Sequence, residues 1–173
     1  MDPHLERLQQ QITTVLDVPL ELLREHPPGK WSIAEIVEHL YLTYTGTTKG
    51  FERVLAADKP PATTPTLKQR MQALAVIEFG YFPTGREAPP QARPRGLPVE
   101  KVISEMNRKI AEMDEIMTRC DAKFGSGTRV LNHPFLGPFT TRQWRKFHLV
   151  HGLHHVKQIR RLRETVSAGN SHQ

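Results

Sequence analysis

TTRQWRKFHLVHGLHHVKQIRRLRETV (140–166) is the stretch whose reading decides the fold. Thr140 and Gln143 stand three apart, the pattern of a capping box, which predicts a helix from Thr141 to about Val166. At 100° per residue, Trp144, His151, His155 and Leu162 fall within about 40° of one direction, and His148 lies close beside them. Ile159 and Val166 flank the stripe. Three histidines thus occupy the face that turns into a core, where an imidazole needs a hydrogen-bond partner or a metal. Leu149, Val150, Leu153 and Val156 form a second apolar face on the opposite side. A helix with two apolar faces has two partners, and the second is either a folded-back connection or another subunit.

Working outward, three further long helices share this character. Leu5, Leu8, Ile12, Val15, Leu16, Leu22 and Leu23 recur at spacings of three and four. Pro19 should kink that helix or split off its last turn, and His26-Pro27-Pro28-Gly29 stops it. Ser32 and Glu35 make a capping box for a helix from Ile33 to about Ala57. Its stripe is Ile33, Ile36, Val37, Leu40, Tyr44, Phe51 and Leu55. Val102, Met106, Ile110, Met113, Met117, Cys120 and Phe124 follow one another at 4-4-3-4-3-4, a near-heptad seam that predicts a helix from Val99 to Phe124. No segment alternates as a strand. Between the second and third of these helices lies a Pro-rich connection (59–98) with eight prolines from Pro60 to Pro98. Leu67 to Phe79 fits a short helix and Gly80 to Pro98 a loop. A connection of this length in a compact domain is more often functional, or packed over a surface, than idle. The fold class read from these elements is all-α, an up-down four-helix bundle formed by 1–173 as one domain with a frayed tail at 167–173.

The composition narrows the chemistry. The chain has 173 residues, nine histidines, one cysteine and a net charge of +6. One cysteine excludes a disulfide framework and a thiolate-rich zinc site, so imidazole and carboxylate must hold any metal. Cys120 falls in the apolar seam and reads as a buried thiol. The opening MDPHLERLQQ lacks a basic segment followed by an apolar stretch, and no run approaches a membrane span. The sequence therefore predicts a cytoplasmic protein with no membrane partner.

His151 and His155, at i and i+4, lie one turn apart on one face, a spacing at which both reach one ion. The alternative for each is a core histidine bonded to a carbonyl or carboxylate. His154 points about 100° away. A third ligand must come from another helix, and His39 is the candidate, being mid-helix. The wheel puts it about 120° from the centre of its own stripe, at the bundle flank. Glu35, one turn earlier, either orients His39 or only caps its helix. His148 either acts as a general base or substrate-holding group, or is packed core. His4, His26, His133 and His172 fall in termini and loops. Lys157, Arg160, Arg161 and Arg163 make a basic run, the one feature besides net charge that favours a nucleic-acid binder. Cations near a helix C-terminus are also favoured by its dipole, and a solvated face explains them first.

WSIAEIVEHL (31–40), HPFLGPFTTRQWRKFHLVHGLHHVKQI (133–159) and FGYFPTGREAPPQARPRG (79–96) resemble the DinB/YfiT-like family of metal-binding four-helix bundles. The resemblance implies an up-down bundle with three histidines around one divalent metal, zinc or nickel. Carried over by position, the ligands are His39, His151 and His155. It further implies a homodimer and a small-molecule substrate. Some relatives are S-transferases that use low-molecular-weight thiols; others resemble hydrolases. Three neutral imidazoles leave such an ion its full charge and an open position, where water or a thiol loses its proton near neutral pH. A metal-dependent transferase or hydrolase follows as the leading expectation, with a non-catalytic, metal-stabilised bundle as the alternative.

Overall fold

The computed structural model describes residues 1–26, 28–60, 64–82 and 87–170, the last five by backbone alone. Pro27, Pro61 and Pro83 of the expected breaks, and His172, lie outside these residues.

Four long helices carry the architecture: α1 (Pro3–Leu16), α3 (Ile33–Ala56), α5 (Val99–Phe124) and α6 (Thr141–Asn170). They enclose one apolar core in which Leu5, Leu8, Val37, Tyr44, Phe51, Ile110, Met113 and Cys120 are all fully buried. Pro19 splits a short helix, α2 (Leu20–Arg24), from α1, because a proline cannot continue the α1 hydrogen-bond ladder. The two expected capping boxes are formed: Ser32 Oγ accepts from Glu35 N at 3.2 Å, and Thr140 Oγ1 accepts from Gln143 N at 3.2 Å. In each box the residue at the third position accepts from the cap amide in return, at 2.8 and 3.0 Å. In the connection, α4 (Leu67–Ile77) opens on a third such box, Thr66 with Gln69, and a single 3-10 turn covers Pro90–Ala92.

Three features differ from the sequence reading. A short antiparallel hairpin, β1 (Arg129–His133) with β2 (Gly137–Thr140), lies between α5 and α6. Strands of five and four residues, one containing Pro138, are too brief to show alternation in sequence. The hairpin is anchored by buried Val130 and Phe139 and by the Trp144 indole, which donates to the Leu131 carbonyl at 3.1 Å.

The second apolar face of α6 is covered in part from within the chain: Leu149 and Val156 are buried, Val150 and Leu153 are half-buried, and a Cβ at Gly80 of the connection would stand 3.5 Å from Val150. Between that face and the histidine stripe, α1 packs so closely that a Cβ at Gly152 would stand 2.2 Å from Leu8 Cδ1. Helix α6 also touches α3, α4 and α5, which is why apolar residues surround it rather than forming one stripe.

The third difference is a buried charge network absent from the apolar pattern. Arg145 is 8% exposed and donates to Asp114 (2.8 Å), Asp121 (2.9 Å) and Thr118 (2.9 Å), joining α6 to α5. Asp114 also accepts from the Asp2 amide at 2.8 Å, which ties in the start of α1. Pairing and hydrogen bonding offset the cost of dehydrating these charges.

The contact at Gly152 is testable. Gly152→Ala should destabilise the protein by about 1–3 kcal/mol through overpacking against Leu8. In urea denaturation the double variant with Leu8→Ala should lose less than the sum of the two single losses; simple additivity would mean that the two residues do not meet.

Candidate metal centre

His39 projects from α3, and His151 and His155 from successive turns of α6. The three meet: each offers one ligand atom, and these atoms all lie within 4.8 Å of one another. His151 Nε2 is 3.4 Å from His39 Nε2 and 3.1 Å from His155 Nε2. Two nitrogens bound to one zinc at tetrahedral angle stand about 3.3–3.4 Å apart, so the spacing suits a shared ion.

The outer nitrogens explain why these faces converge. His39 Nδ1 donates to the Ala92 carbonyl at 2.8 Å. His155 Nδ1 donates to Gln158 Oε1 at 2.7 Å. A carbonyl oxygen can only accept, so both rings carry their proton outside and turn a bare Nε2 lone pair inward. His151 can offer one proton to one of them, not to both, and its own Nδ1 is buried with no partner among the described residues. A divalent cation satisfies all three lone pairs at once.

The surroundings keep the imidazoles neutral, the form a metal requires. Burial lowers the affinity of His39 for a proton, against the opposing Ala92 bond. Burial, reinforced by the neighbouring His39, holds His155 at about 3. Burial and then His155 and His39 push His151 well below its ordinary value. Aromatic rings wall the cluster. Phe147 stacks on His151 at 5.4 Å, Trp31 lies 5.3 Å from His39, and Phe82 lies 5.7 Å from His151. His151, Trp31 and Phe82 are only partly buried, so the cluster opens to solvent on that side.

The flank position expected for His39 is corrected: it is 5% exposed. The wheel was centred on the stripe that packs against α5, whereas α3 buries a second face against the Pro90–Ala92 turn and α6. Glu35 takes the capping role and not the orienting one; its carboxylate accepts from the Ser32 amide and approaches His26 Nε2 at 3.3 Å. His154 stays outside the cluster, and its Nε2 accepts from Gln158 Nε2 at 3.2 Å. His133, expected in a loop, ends β1; its ring packs on Phe147 at 4.7 Å and its Nδ1 accepts from the amides of Phe135 and Leu136. His148 is fully buried one turn before His151, stacked on Trp144 at 5.5 Å and edge-on to Tyr44 at 5.4 Å. Neither of its nitrogens has a partner among the described residues, and burial lowers its pKa to about 3.

Two polar partners were missed in the sequence. Gln158 stands at i+3 from His155, a spacing that could have revealed it. The Ala92 carbonyl lies 53 positions from His39, and no local pattern points to it.

The chain matches the DinB superfamily over residues 4–159. The matched span takes in α1, the connection, and all three clustered histidines. The chain belongs to the DinB superfamily. No curated protein and no solved structure matches it. In this member of the superfamily the three-histidine cluster allows a metal site, and the fold that supports it is helical.

The buried histidines should make the metal-free chain acid-labile. Unfolded, His148 titrates near 6.5; folded, near 3, so the unfolded chain binds the extra proton between those values. Stability is therefore full above pH 6.5 and falls as pH drops towards 3. From pH 7 to pH 5, His148 alone should account for about 2 kcal/mol. Urea midpoints in the presence of chelator should show this loss, and His148→Leu should flatten the slope by that amount. Parallel slopes for the two proteins would contradict a neutral buried His148.

Proposed function

We propose that the protein is a metal-dependent enzyme of transferase or hydrolase type, with His39, His151 and His155 holding zinc or nickel. The observation that supports this best is the convergence of three Nε2 atoms, two of whose rings have their Nδ1 protons engaged outside. Three protein ligands are the number that leaves a tetrahedral ion one position for a reactant. When bound, the ion supplies Lewis acidity that lets water or a low-molecular-weight thiol lose its proton near neutral pH.

The chain's own residues have the complementary tasks. Ala92 and Gln158 hold two imidazoles in the tautomer that binds. Trp31 and Phe82 flank the side on which His151 meets solvent and offer apolar walls to a small-molecule substrate. His148 is proposed as the general base because it has two unengaged nitrogens one turn before His151; burial, which lowers its pKa to about 3, weakens it as a base and favours a packed core histidine as its second role. In the transferase form, the thiol S–H is lost as a proton, an S–C bond forms to the electrophile, and the electrophile's leaving group departs. In the hydrolase form, water takes the place of the thiol. A homodimer is proposed on the resemblance alone, and sedimentation at micromolar concentration tests it.

A second reading has its own support. The ligands come from α3 and α6, so an ion would staple two core helices even without catalysis.

Protein purified without chelator should carry about one divalent ion per chain by mass spectrometry. His151→Ala and His155→Ala should each reduce this to background. Absence of stoichiometric metal from the wild type would sink the enzyme reading. Bound metal with no turnover of any thiol–electrophile pair or ester, together with a fall in melting temperature on metal removal, would favour the staple. Under the enzyme reading, His148→Gln should keep the metal and lose about 10²–10⁴-fold in kcat.

A further inference from the structure

We propose that Glu38 is a positioning residue of the metal centre, and that docking of the 92–97 segment is coupled to metal occupancy. This inference rests on the metal reading above.

Glu38 precedes His39 on α3 and is only 3% exposed. Among the described residues it has no cationic partner. Its carboxylate instead accepts three successive backbone amides: Arg95 N at 2.7 Å on Oε1, and Gly96 N at 3.1 Å and Leu97 N at 3.2 Å on Oε2. Three adjacent N–H groups can point at one carboxylate only where the backbone curls. Gly96, at φ 80°, supplies the left-handed residue that this requires. Bonds to an ionised acceptor are about twice as strong as neutral ones, which suits a carboxylate for fastening bare backbone.

The fastened segment is the one that orients His39. Ala92 closes the 3-10 turn Pro90–Ala92, is itself buried, and presents the carbonyl that accepts from His39 Nδ1. Neighbouring residues of α3 thus grip one segment at two points. Glu38 grips its amides, and His39 grips its carbonyl. If the first grip is lost, the Ala92 carbonyl is left to the 3-10 turn and to the burial of Ala92 against α3, without the anchored amides that follow it.

The link runs in both directions. An imidazole whose Nε2 binds a cation is a better donor at Nδ1, so an ion at the centre strengthens the His39–Ala92 bond. A segment held by a stronger bond opens less often. By linkage, whatever favours docking of the segment favours the ion by the same factor.

Zinc is the probe. Competition against a chromophoric chelator should show Glu38→Gln binding zinc about 10–100-fold more weakly than the wild type. Cobalt substituted into Glu38→Gln should show displaced d–d bands, while Val102→Ala, a core truncation on α5, should shift neither zinc affinity nor bands. Independently of any variant, the amides of residues 95–97 in the wild type should exchange with deuterium about 5-fold or more slowly with zinc than with chelator. This second measurement decides the question if Glu38→Gln does not fold. Should the wild type bind zinc while the Glu38→Gln affinity is unchanged, or amide exchange at 95–97 ignore zinc, the coupling is overturned and the metal reading survives. Should the wild type bind no zinc at all, both are overturned.

Discussion

Imidazole lone pairs brought together in a dry place repel one another unless a proton or a cation stands between them. The centre of this protein is arranged around that constraint. His39 and His155 have their protons committed outward, to Ala92 and Gln158, so neither can relieve the crowding at Nε2. His151 has one proton for two neighbours 3.1 and 3.4 Å away. Burial depresses the proton affinity of all three, which closes the remaining route of relief by protonation. A divalent ion resolves the conflict and leaves the bonds to Ala92 and Gln158 in place. The polar arrangement is therefore costly without a ligand and well matched to one, the pattern of strain concentrated at a functional site.

The rest of the fold can be read as support for that arrangement. Two of the three clustered histidines share α6, which touches α1, α3, α4 and α5. Its position is set on one side by the close approach of α1 at Gly152 and on another by Arg145, whose guanidinium is held by Asp114 and Asp121 on α5. An apolar contact specifies distance but tolerates sliding. A forked ion pair with partners about two turns apart also specifies register along the axis. Register matters here, because a shift of one residue on α6 turns His151 and His155 by about 100°.

How much of this was legible in the sequence follows from the range of each interaction. The bounds of α3, α5 and the start of α6 were readable because capping boxes and apolar spacing act within four residues. His151 and His155 were readable as a pair for the same reason. The flank position wrongly expected for His39 shows the limit of the method: a helical wheel finds the largest apolar face, and α3 also buries Glu38 and His39 beyond that face. Only the resemblance to a family placed His39 in the site. The hairpin was too short to alternate, and the Arg145 network joins residues more than 20 positions apart by charge, to which apolar periodicity is blind.

The Pro-rich connection illustrates why such long-range polar contacts are found at this site. Outside α4 and the short 3-10 turn, its amides and carbonyls must be satisfied one by one. Prolines at 89, 90, 94 and 98 remove donors and narrow the conformations open to the unfolded chain, so ordering the segment costs less entropy. What remains is a few amides, three of which go to Glu38, and the Ala92 carbonyl, which goes to His39. The 92–97 stretch is thus fastened to α3 by two adjacent side chains, one of them a ligand candidate. A loop that depends on a ligand for a hydrogen bond is part of that ligand's environment. The 89–97 segment therefore belongs to the candidate metal centre as much as the helices that carry the histidines.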